Sequence, residues 1–380
     1  MSLHSGLNFL PQRNRLRLLQ AGALSAVLMA VVMAGAVLRS SGGQTASLSD
    51  TLATPSVSTS TSEHISARPK AISENAAVSV ALGKESDTAK YYERETGKAF
   101  SVNLKTLKTD VLSDTRLPGF IRSYWLPYSN KVVSEFQDPG GISYRAFDYQ
   151  TKATTTIGSD IIALAVSPDG RQIAYMKPME DASALFISDS DGSNPRTLIT
   201  TRAQEVRLNW PVKDTLSMAS RRPDRTGTDL SIIDLDGTLT IMMSNRENLE
   251  YVWSPDGTHL LYSYFTPEQG VSLWYREAGS RLDVPLGLAT SARKCAWHDN
   301  TMTITCGVPA KNSLGRDVPA ARSATGHDIA TLDMSTGEQS RLYGGTGATL
   351  IGVIEPLVSS SGNYFVFTNL FDQRLYLFPL

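Results

Sequence analysis

The chain has 380 residues, with 36 basic and 37 acidic side chains and a formal net charge of −1. This balance argues against a nucleic-acid-binding protein, in which basic residues are in excess. Only two cysteines and five histidines are present, so we expect neither a closed metal site nor a bound cofactor.

The N-terminus has the features of a membrane anchor. Residues 1–17 contain three arginines, and residues 18–38 hold no charged side chain. An apolar helix of about 20 residues spans a bilayer, and arginines before it keep the N-terminus in the cytoplasm. The alternative is a signal peptide cleaved near Ala36. In both cases the rest of the chain would lie outside the cytoplasm, either anchored by a single pass or secreted to a periplasmic or extracellular space.

The segment after the apolar run is polar and of low complexity. Residues 39–62 are dense in Ser and Thr, and such a stretch cannot bury enough apolar surface to offset the loss of conformational entropy on folding. We predict a flexible stalk over 39–62, or a tail left by signal cleavage, followed by one folded domain over 63–380.

One hairpin recurs along this domain. Residues 166–170 and 253–257 both have the pattern apolar-Ser-Pro-Asp-Gly, and an aromatic residue stands nine positions after each apolar anchor. Pro, Asp and Gly at these positions favour a tight turn. Aligning weaker copies gives seven anchors: Val80, Trp125, Val166, Trp210, Trp253, Trp297 and Val358.

The spacing of the anchors indicates the fold class. Steps of 41 to 45 residues separate the first six anchors, and the last step is 61 residues. A unit of this size with four short strands corresponds to a propeller blade. The sequence therefore predicts an all-β, seven-bladed β-propeller, with six blades and an N-terminal strand pair as the alternative. The last unit ends after three strands, and we expect residues near 64–72 to supply its fourth.

The repeated turns resemble a known family. The Ser-Pro-Asp-Gly turns and the phrase over 188–196 are similar to the WD40-like (PD40) repeats of TolB-type β-propellers, and the resemblance extends over most of 76–380. It implies a propeller in an extracytoplasmic setting. It does not imply TolB's partners, because residues 39–75 do not supply the smaller α/β domain of TolB and because fold does not determine function.

The two cysteines flank one of the turns. Cys295 lies two residues before the Trp297 anchor and Cys306 nine after it, which places them on neighbouring strands of a hairpin. A disulfide requires that both side chains lie on one face of the sheet. The sequence leaves two alternatives, a disulfide or two buried free thiols.

Two loops interrupt the regular repeat, and both are basic. The connection over 307–327 is about 15 residues longer than its counterparts, and long loops are often functional. The neighbouring connection over 219–228 lies on the same face. We predict a binding surface on these loops for an acidic partner, with mobile solvated loops as the alternative; its candidate residues are Arg221, Arg222, Arg225, Lys311, Arg316, Arg322 and His327.

No constellation of catalytic residues is evident in the sequence. The Gly-x-Ser-x-Gly elbow of propeller-bearing serine hydrolases is absent, and no histidine stands with a nucleophile and a base. We therefore expect a monomeric, non-catalytic module that binds an envelope protein, a peptide or an acidic polymer. The alternatives are a propeller enzyme, lyase or glycosidase-like, or a small-ligand receptor, with its site at the channel mouth.

Overall fold

The computed structural model describes residues 67–83, 87–127, 129–310, 326–344 and 350–380. The predicted membrane segment over 18–38 and the predicted stalk over 39–62 lie outside these residues. Within the described ranges, no helix has the length and apolar character needed to cross a membrane.

The described residues form antiparallel sheets joined by short loops, with a single turn of 3-10 helix, η1 (Ala292–Lys294). Five sheets have four strands each, in chain order. The first two contain β5 (Phe120–Trp125), β6 (Lys131–Asp138), β7 (Gly141–Asp148) and β8 (Thr154–Ser159), then β9 (Ala163–Val166), β10 (Gln172–Pro178), β11 (Ser183–Asp189) and β12 (Arg196–Thr201).

The next three sheets repeat this order. They contain β13 (Gln204–Val212), β14 (Thr215–Arg221), β15 (Thr228–Asp234) and β16 (Leu239–Arg246), then β17 (Glu250–Trp253), β18 (His259–Thr266), β19 (Gly270–Glu277) and β20 (Val284–Pro285), and then β21 (Cys295–Trp297), β22 (Thr303–Pro309), β23 (His327–Asp333) and β24 (Gln339–Tyr343).

A seven-stranded sheet joins the two ends of the described chain. Its order is β25-β26-β27-β1-β2-β3-β4, with β1 (Lys70–Leu82), β2 (Thr88–Glu93), β3 (Ala99–Asn103), β4 (Thr109–Ser113), β25 (Val353–Val358), β26 (Tyr364–Asn369) and β27 (Arg374–Pro379). The N-terminal part of β1 pairs with β27 through Lys70, Ala71 and Ala76, and the part from Ala77 to Leu82 pairs with β2. The segment that completes the last sheet therefore ends a few residues later than the predicted 64–72.

The first strand of each unit lies at the centre of the molecule. The first strands of several neighbouring units contact one another: β1 contacts β5, β5 contacts β9, β9 contacts β13, and β21 contacts β25. The fourth strands β4, β8, β12 and β24 are mostly exposed. This is the radial arrangement of a β-propeller, so the predicted all-β propeller class is confirmed. We call β5, β9, β13, β17, β21, β25 and the second half of β1 the inner strands.

The predicted anchors end the inner strands or lie near their ends. Trp125, Trp253 and Trp297 are the last residues of β5, β17 and β21. Their indole N–H groups donate to the preceding unit, that of Trp125 to the Ser79 carbonyl at 2.7 Å and that of Trp253 to the Ser217 hydroxyl at 3.0 Å. An aromatic body with one polar tip thus joins adjacent sheets, which explains why tryptophan recurs at this position.

Candidate functional site at the axial rim

Charged side chains recur on the inner strands, or directly before them, three residues before the anchor. Because the inner strands surround one axis and run in the same direction, equivalent positions lie at the same height around that axis. We call the face where the inner strands begin the entry face; the loops between second and third strands also open on it. The charged residues three before an anchor are Arg122, Arg207, Glu250, Lys294 and Glu355.

Two arginines from different units converge on one carboxylate. Arg207 Nη1 of β13 donates to Glu250 Oε2 of β17 at 2.7 Å, and Arg207 Nη2 donates to the Leu249 carbonyl. Arg293 of η1 places its Nε 3.7 Å from the same Glu250 oxygen. The three side chains retain part of their solvent exposure. The cluster bears one positive charge that no carboxylate within it balances, and a partly exposed guanidinium is suited to bind a carboxylate in a fork geometry.

The residue after Arg293 makes a different kind of contact. Lys294 Nζ lies 2.9 Å from Nε2 of His327, the first residue of β23. His327 is 2% exposed, and its Nδ1 accepts a hydrogen bond from the Val353 backbone N–H at 2.7 Å. Lys294 is half-buried. We call Arg207, Glu250, Arg293, Lys294 and His327 the axial rim.

Burial disfavours the charged form of both members of the Lys294–His327 pair. It lowers the pKa of Lys294 below its usual value. Burial lowers the pKa of His327 to about 4, with a smaller contribution from the positive charge that Lys294 has when it is protonated. Both groups are therefore biased toward their neutral forms, a perturbation that is common at functional sites.

A disulfide stands directly beside this pair. Cys295 follows Lys294 and lies opposite Cys306 in the β21–β22 ladder, with an S–S distance of 2.11 Å. Both cysteines are buried. The covalent link fixes the strand that presents Arg293 and Lys294 to the neighbouring strand of the same sheet.

A second ion pair lies on the entry face within the sheet of β5–β8. Arg122 Nε donates to Glu135 Oε2 at 2.7 Å, and the Glu135 side chain is almost buried. Because this arginine already has a carboxylate partner, it contributes less free positive charge than the Arg207–Glu250–Arg293 cluster.

The structure pairs the three predicted basic residues of the 219–228 connection with carboxylates. Arg221 Nη2 donates to Glu205 at 2.6 Å, which lowers the pKa of Glu205. Arg222 Nε lies 3.2 Å from Asp229, and Arg225 Nη1 lies 3.9 Å from the same side chain. These arginines are engaged within their own sheet, so they present less free positive charge than the sequence suggests.

The remaining predicted binding residues fall into two groups. Lys311, Arg316 and Arg322 lie outside the described residues. His327 lies not in an exposed loop but at the buried start of β23, where it contacts Lys294.

Sequence reasoning did not select four of the five rim residues. The signal was present, since Arg207, Glu250 and Lys294 each stand three residues before a tryptophan anchor and Arg293 precedes Lys294. The contacts themselves join residues 33 and 43 positions apart, so they depend on how neighbouring sheets are arranged around the axis.

Comparisons with known proteins identify the fold. No protein-family model matches the sequence, and no curated protein matches it either. Among solved structures, the oligogalacturonate lyase of Vibrio parahaemolyticus aligns with a TM-score of 0.61 and 10% identity, over 83% of this chain and 94% of that chain. A second structure, oligogalacturonate lyase in complex with manganese, aligns with a TM-score of 0.54 and 12% identity, over 83% and 98%.

A propeller of another kind aligns about as well. The Swd1 β-propeller domain of Myceliophteria thermophila has a TM-score of 0.55 and 12% identity, over 82% of this chain and 98% of that chain. At such identities the likeness shows the fold alone. The predicted resemblance to a family of β-propellers is confirmed at that level.

The comparisons correct the predicted function. We expected a non-catalytic binding or scaffolding module, and that prediction is wrong, because the structures that align over most of both chains include propeller enzymes. The alternative of a propeller enzyme accounts better for these findings.

The described residues do not fit a resident metal ion. One of the aligned structures is a complex with manganese, whereas the described ranges of this chain hold no group of three or more His, Cys, Asp or Glu side chains able to hold a metal. We therefore derive no step through a metal.

Proposed function

We propose that this chain is an enzyme of the lyase class that acts on a carboxylate-bearing saccharide at the axial rim. The observation that supports this most directly is the Arg207–Glu250–Arg293 cluster, in which two guanidinium groups share one carboxylate. The likeness in fold to two oligogalacturonate lyase structures supports the reaction class. A uronate saccharide offers the carboxylate that such a cluster would bind.

Lyase chemistry suits the rim better than hydrolysis by a pair of carboxylates. A glycosidase needs two carboxyl groups flanking the bond, one of them free to donate a proton. At the rim, Glu250 already accepts from Arg207 and faces Arg293. Elimination next to a carboxylate needs a cation for that carboxylate and a base for the neighbouring proton, and Arg293 and Lys294 supply both types of group side by side.

We also propose that the propeller has seven blades. The pairing of β1 supports this number, because its first part completes the sheet of β25–β27 and its second part begins the sheet of β2–β4. Dividing the seven-stranded sheet within β1 gives two four-stranded units beside the five others.

The location of the enzyme is a further part of the proposal. Disulfides persist in oxidising compartments, and the Cys295–Cys306 disulfide supports a site of action outside the cytoplasm. We propose that the apolar run over 18–38 exports or anchors the chain there. Protease accessibility of the C-terminal epitope in intact cells would test it, and protection from protease until lysis would contradict it.

Turnover of acidic oligosaccharides tests the proposed function. The purified chain is incubated with oligogalacturonate and with a neutral oligosaccharide, and the ultraviolet absorbance of the unsaturated product is followed. We expect turnover of the acidic substrate only. Replacing Arg293 by Gln should weaken its binding about 10- to 100-fold, because a charge-assisted hydrogen bond contributes roughly 1.5–3 kcal/mol.

Arg171 offers a matched control on the opposite face of the molecule, where its side chain is 86% exposed. Arg171→Gln should bind and turn over like the wild type. Binding that does not distinguish acidic from neutral oligosaccharides would contradict the proposal, and acidic binding without any product would indicate a small-ligand receptor instead.

A further inference from the structure

We propose that Lys294 is the general base of the axial rim, held as a neutral amine by the proton on Nε2 of His327. The inference rests on the proposed function for its substrate, but the state of the amine follows from geometry alone.

The Val353 backbone fixes which nitrogen of His327 has the proton. The Val353 N–H donates to Nδ1 at 2.7 Å, so Nδ1 must offer its lone pair and cannot itself be protonated. A neutral imidazole has one N–H, which therefore lies on Nε2. Rotating the ring by half a turn would place a carbon against the Val353 N–H and lose this bond, so the hydrogen-bond network supports the ring orientation.

The position of Lys294 then decides the state of its amine. Its Nζ lies 2.9 Å from Nε2, which is hydrogen-bond distance. An ammonium group has only donors, and an ammonium facing Nε2–H would bring two donors together. A neutral amine has a lone pair and accepts the Nε2 proton. The contact is satisfied only when Lys294 is neutral.

The elements packed against η1 provide little that would stabilise the ammonium form of Lys294. β17, β18, β22 and β25 pack against it. No ion pair joins Lys294 to a carboxylate in the described part of the chain, and Glu250 is engaged by Arg207 and Arg293. The titratable groups on these four strands are Glu250, Tyr251, His259, Tyr262, Tyr264 and Glu355, and Cys306 is in the disulfide.

The fold explains how a lysine can be held in this way. Lys294 ends η1, directly before the inner strand of one sheet, whereas His327 begins the third strand of the same sheet and Val353 begins the inner strand of the next. The backbone of the next unit thus determines the tautomer of a side chain in this one. Burial lowers the pKa of Lys294, in agreement with the geometry.

A neutral amine at this place can remove a proton from carbon. Arg293, the preceding residue, would hold the uronate carboxylate. Lys294 would turn its single lone pair from the Nε2 proton of His327 to the hydrogen on the carbon beside that carboxylate, so the hydrogen bond to His327 breaks as the new N–H bond forms. The electron pair of that C–H bond forms a carbon–carbon double bond, the glycosidic C–O bond breaks, and the departing oxygen takes a proton from solvent. Lys294 becomes an ammonium and returns its proton to water. A general base works best when its pKa is near the working pH.

Exchanging Lys294 for glutamine separates a base from a cation. The amide oxygen of glutamine accepts the Nε2 proton of His327 as the neutral amine does, but the side chain has neither a basic nitrogen nor a charge. We expect Lys294→Gln to lower turnover of oligogalacturonate at least about 100-fold, with binding unchanged within about threefold, whereas loss of a cation that holds the substrate would weaken binding as well. Lys213→Gln, at an exposed lysine in a turn of the opposite face, should match the wild type. Turnover by Lys294→Gln close to the wild-type rate would overturn the proposal.

Two measurements on the full-length wild-type chain test the neutral amine without any substrate. Trace acetylation followed by peptide mass spectrometry gives the labelling rate of each lysine against pH, and Lys294 should reach half its maximal rate at a lower pH than Lys213. Long-range ¹H–¹⁵N NMR should show His327 protonated at Nε2 and unprotonated at Nδ1.

The two failures can be told apart. If the wild-type chain neither binds nor converts oligogalacturonate, the proposed function is wrong, and the labelling and NMR results still decide the state of the amine. If the chain converts the substrate but Lys294 labels at the same pH as Lys213, or His327 has its proton on Nδ1, the proposed base is wrong.

Discussion

Single glycines in the hairpin turns meet the sheet of the preceding unit. Gly170 has φ +68°, and a Cβ there would lie 2.6 Å from the Pro127 carbonyl oxygen of the neighbouring turn. The positive φ requires a residue that tolerates the left-handed region, and the close approach to Pro127 requires a residue without a side chain. The glycine therefore determines how closely two neighbouring sheets pack, in addition to allowing the chain to turn between two strands.

Gly170→Ala separates these two requirements when compared with Gly270→Ala. Gly270 has the same φ of +68°, but nothing lies within 4 Å of its Cβ position. We expect Gly270→Ala to lower the free energy of unfolding by about 1–2 kcal/mol, the strain of the left-handed region. Gly170→Ala should lower it by a further ~1–3 kcal/mol, because backbone atoms must move apart. Urea unfolding measures both, and equal losses would contradict the close approach.

His327 predicts a pH dependence of stability. Its folded pKa is about 4, below the ordinary value of about 6.5 in an unfolded chain. Between these values the unfolded state binds more protons, so stability falls as the pH is lowered from about 6.5 to 4. The shift corresponds to about 3 kcal/mol. His327→Gln removes this group, and its unfolding free energy should fall less steeply over that interval. Parallel slopes for the two proteins would contradict the burial of a neutral histidine.

At the scale of elements, the sequence predicts strands better than contacts. The anchors mark the ends of inner strands because the repeat has a fixed length, and Trp125, Trp253 and Trp297 lie where the period requires. The sequence does not predict that the arginines in the 219–228 connection form ion pairs with carboxylates. Their partner Asp229 is close in sequence, but the approach of Glu205 to Arg221 requires the pairing of β13 with β14. Charge counted along the chain does not reveal which charges are already paired.

The disulfide is an element-scale constraint on the candidate site. It closes a loop with a sequence separation of 11 between its cysteines, both of them buried. In the chain-entropy account, a loop of that size contributes roughly 2–3 kcal/mol. Replacing both cysteines by Ala should lower the free energy of unfolding by about this amount, as measured by urea unfolding.

Reductant provides the control for the disulfide prediction. It should lower the stability of the wild-type chain to that of the double variant and leave the double variant unchanged. If the variant without cysteines is as stable as the oxidised wild type, the disulfide contributes nothing to folding.

For the whole molecule, closure depends on a short N-terminal segment. A sheet edge with unpaired backbone groups invites aggregation, and closed architectures remove it. Here the N-terminal part of β1 pairs with the edge of β27, so hydrogen bonds between strands join the first and last parts of the domain. The spacing of the anchors predicts that an N-terminal strand completes the last sheet. It does not indicate that β1 is one continuous strand, which pairs with β27 from Lys70 onward and with β2 in its second half.

Ser73 is the residue at which this closure can be weakened selectively. It is 4% exposed; its hydroxyl accepts from the Leu375 backbone N–H at 2.9 Å, and its carbonyl accepts from Arg374 Nε at 2.8 Å. Ser73→Ala leaves the Leu375 N–H buried without that partner, which costs about 1–3 kcal/mol. The lost hydrogen bond joins β1 to β27, and we call this pairing the seam. Backbone amides of β26 and β27 should therefore exchange with solvent faster, whereas those of β14 and β15, which belong to another sheet, should keep their rates.

Ser113→Ala is the matched control, since Ser113 lies in the outer strand β4 and its hydroxyl accepts only a 3.3 Å bond from the exposed Thr115. It should change stability by less than about 0.5 kcal/mol. Hydrogen exchange measured for each strand shows whether the domain opens first at the pairing of β1 with β27 or unfolds as one cooperative unit. If it opens first at this pairing, Ser73→Ala accelerates exchange near β27 more than in any other sheet. Equal acceleration in every sheet would mean that the ring opens as one unit and that β1 is no weaker than the contacts between the other sheets.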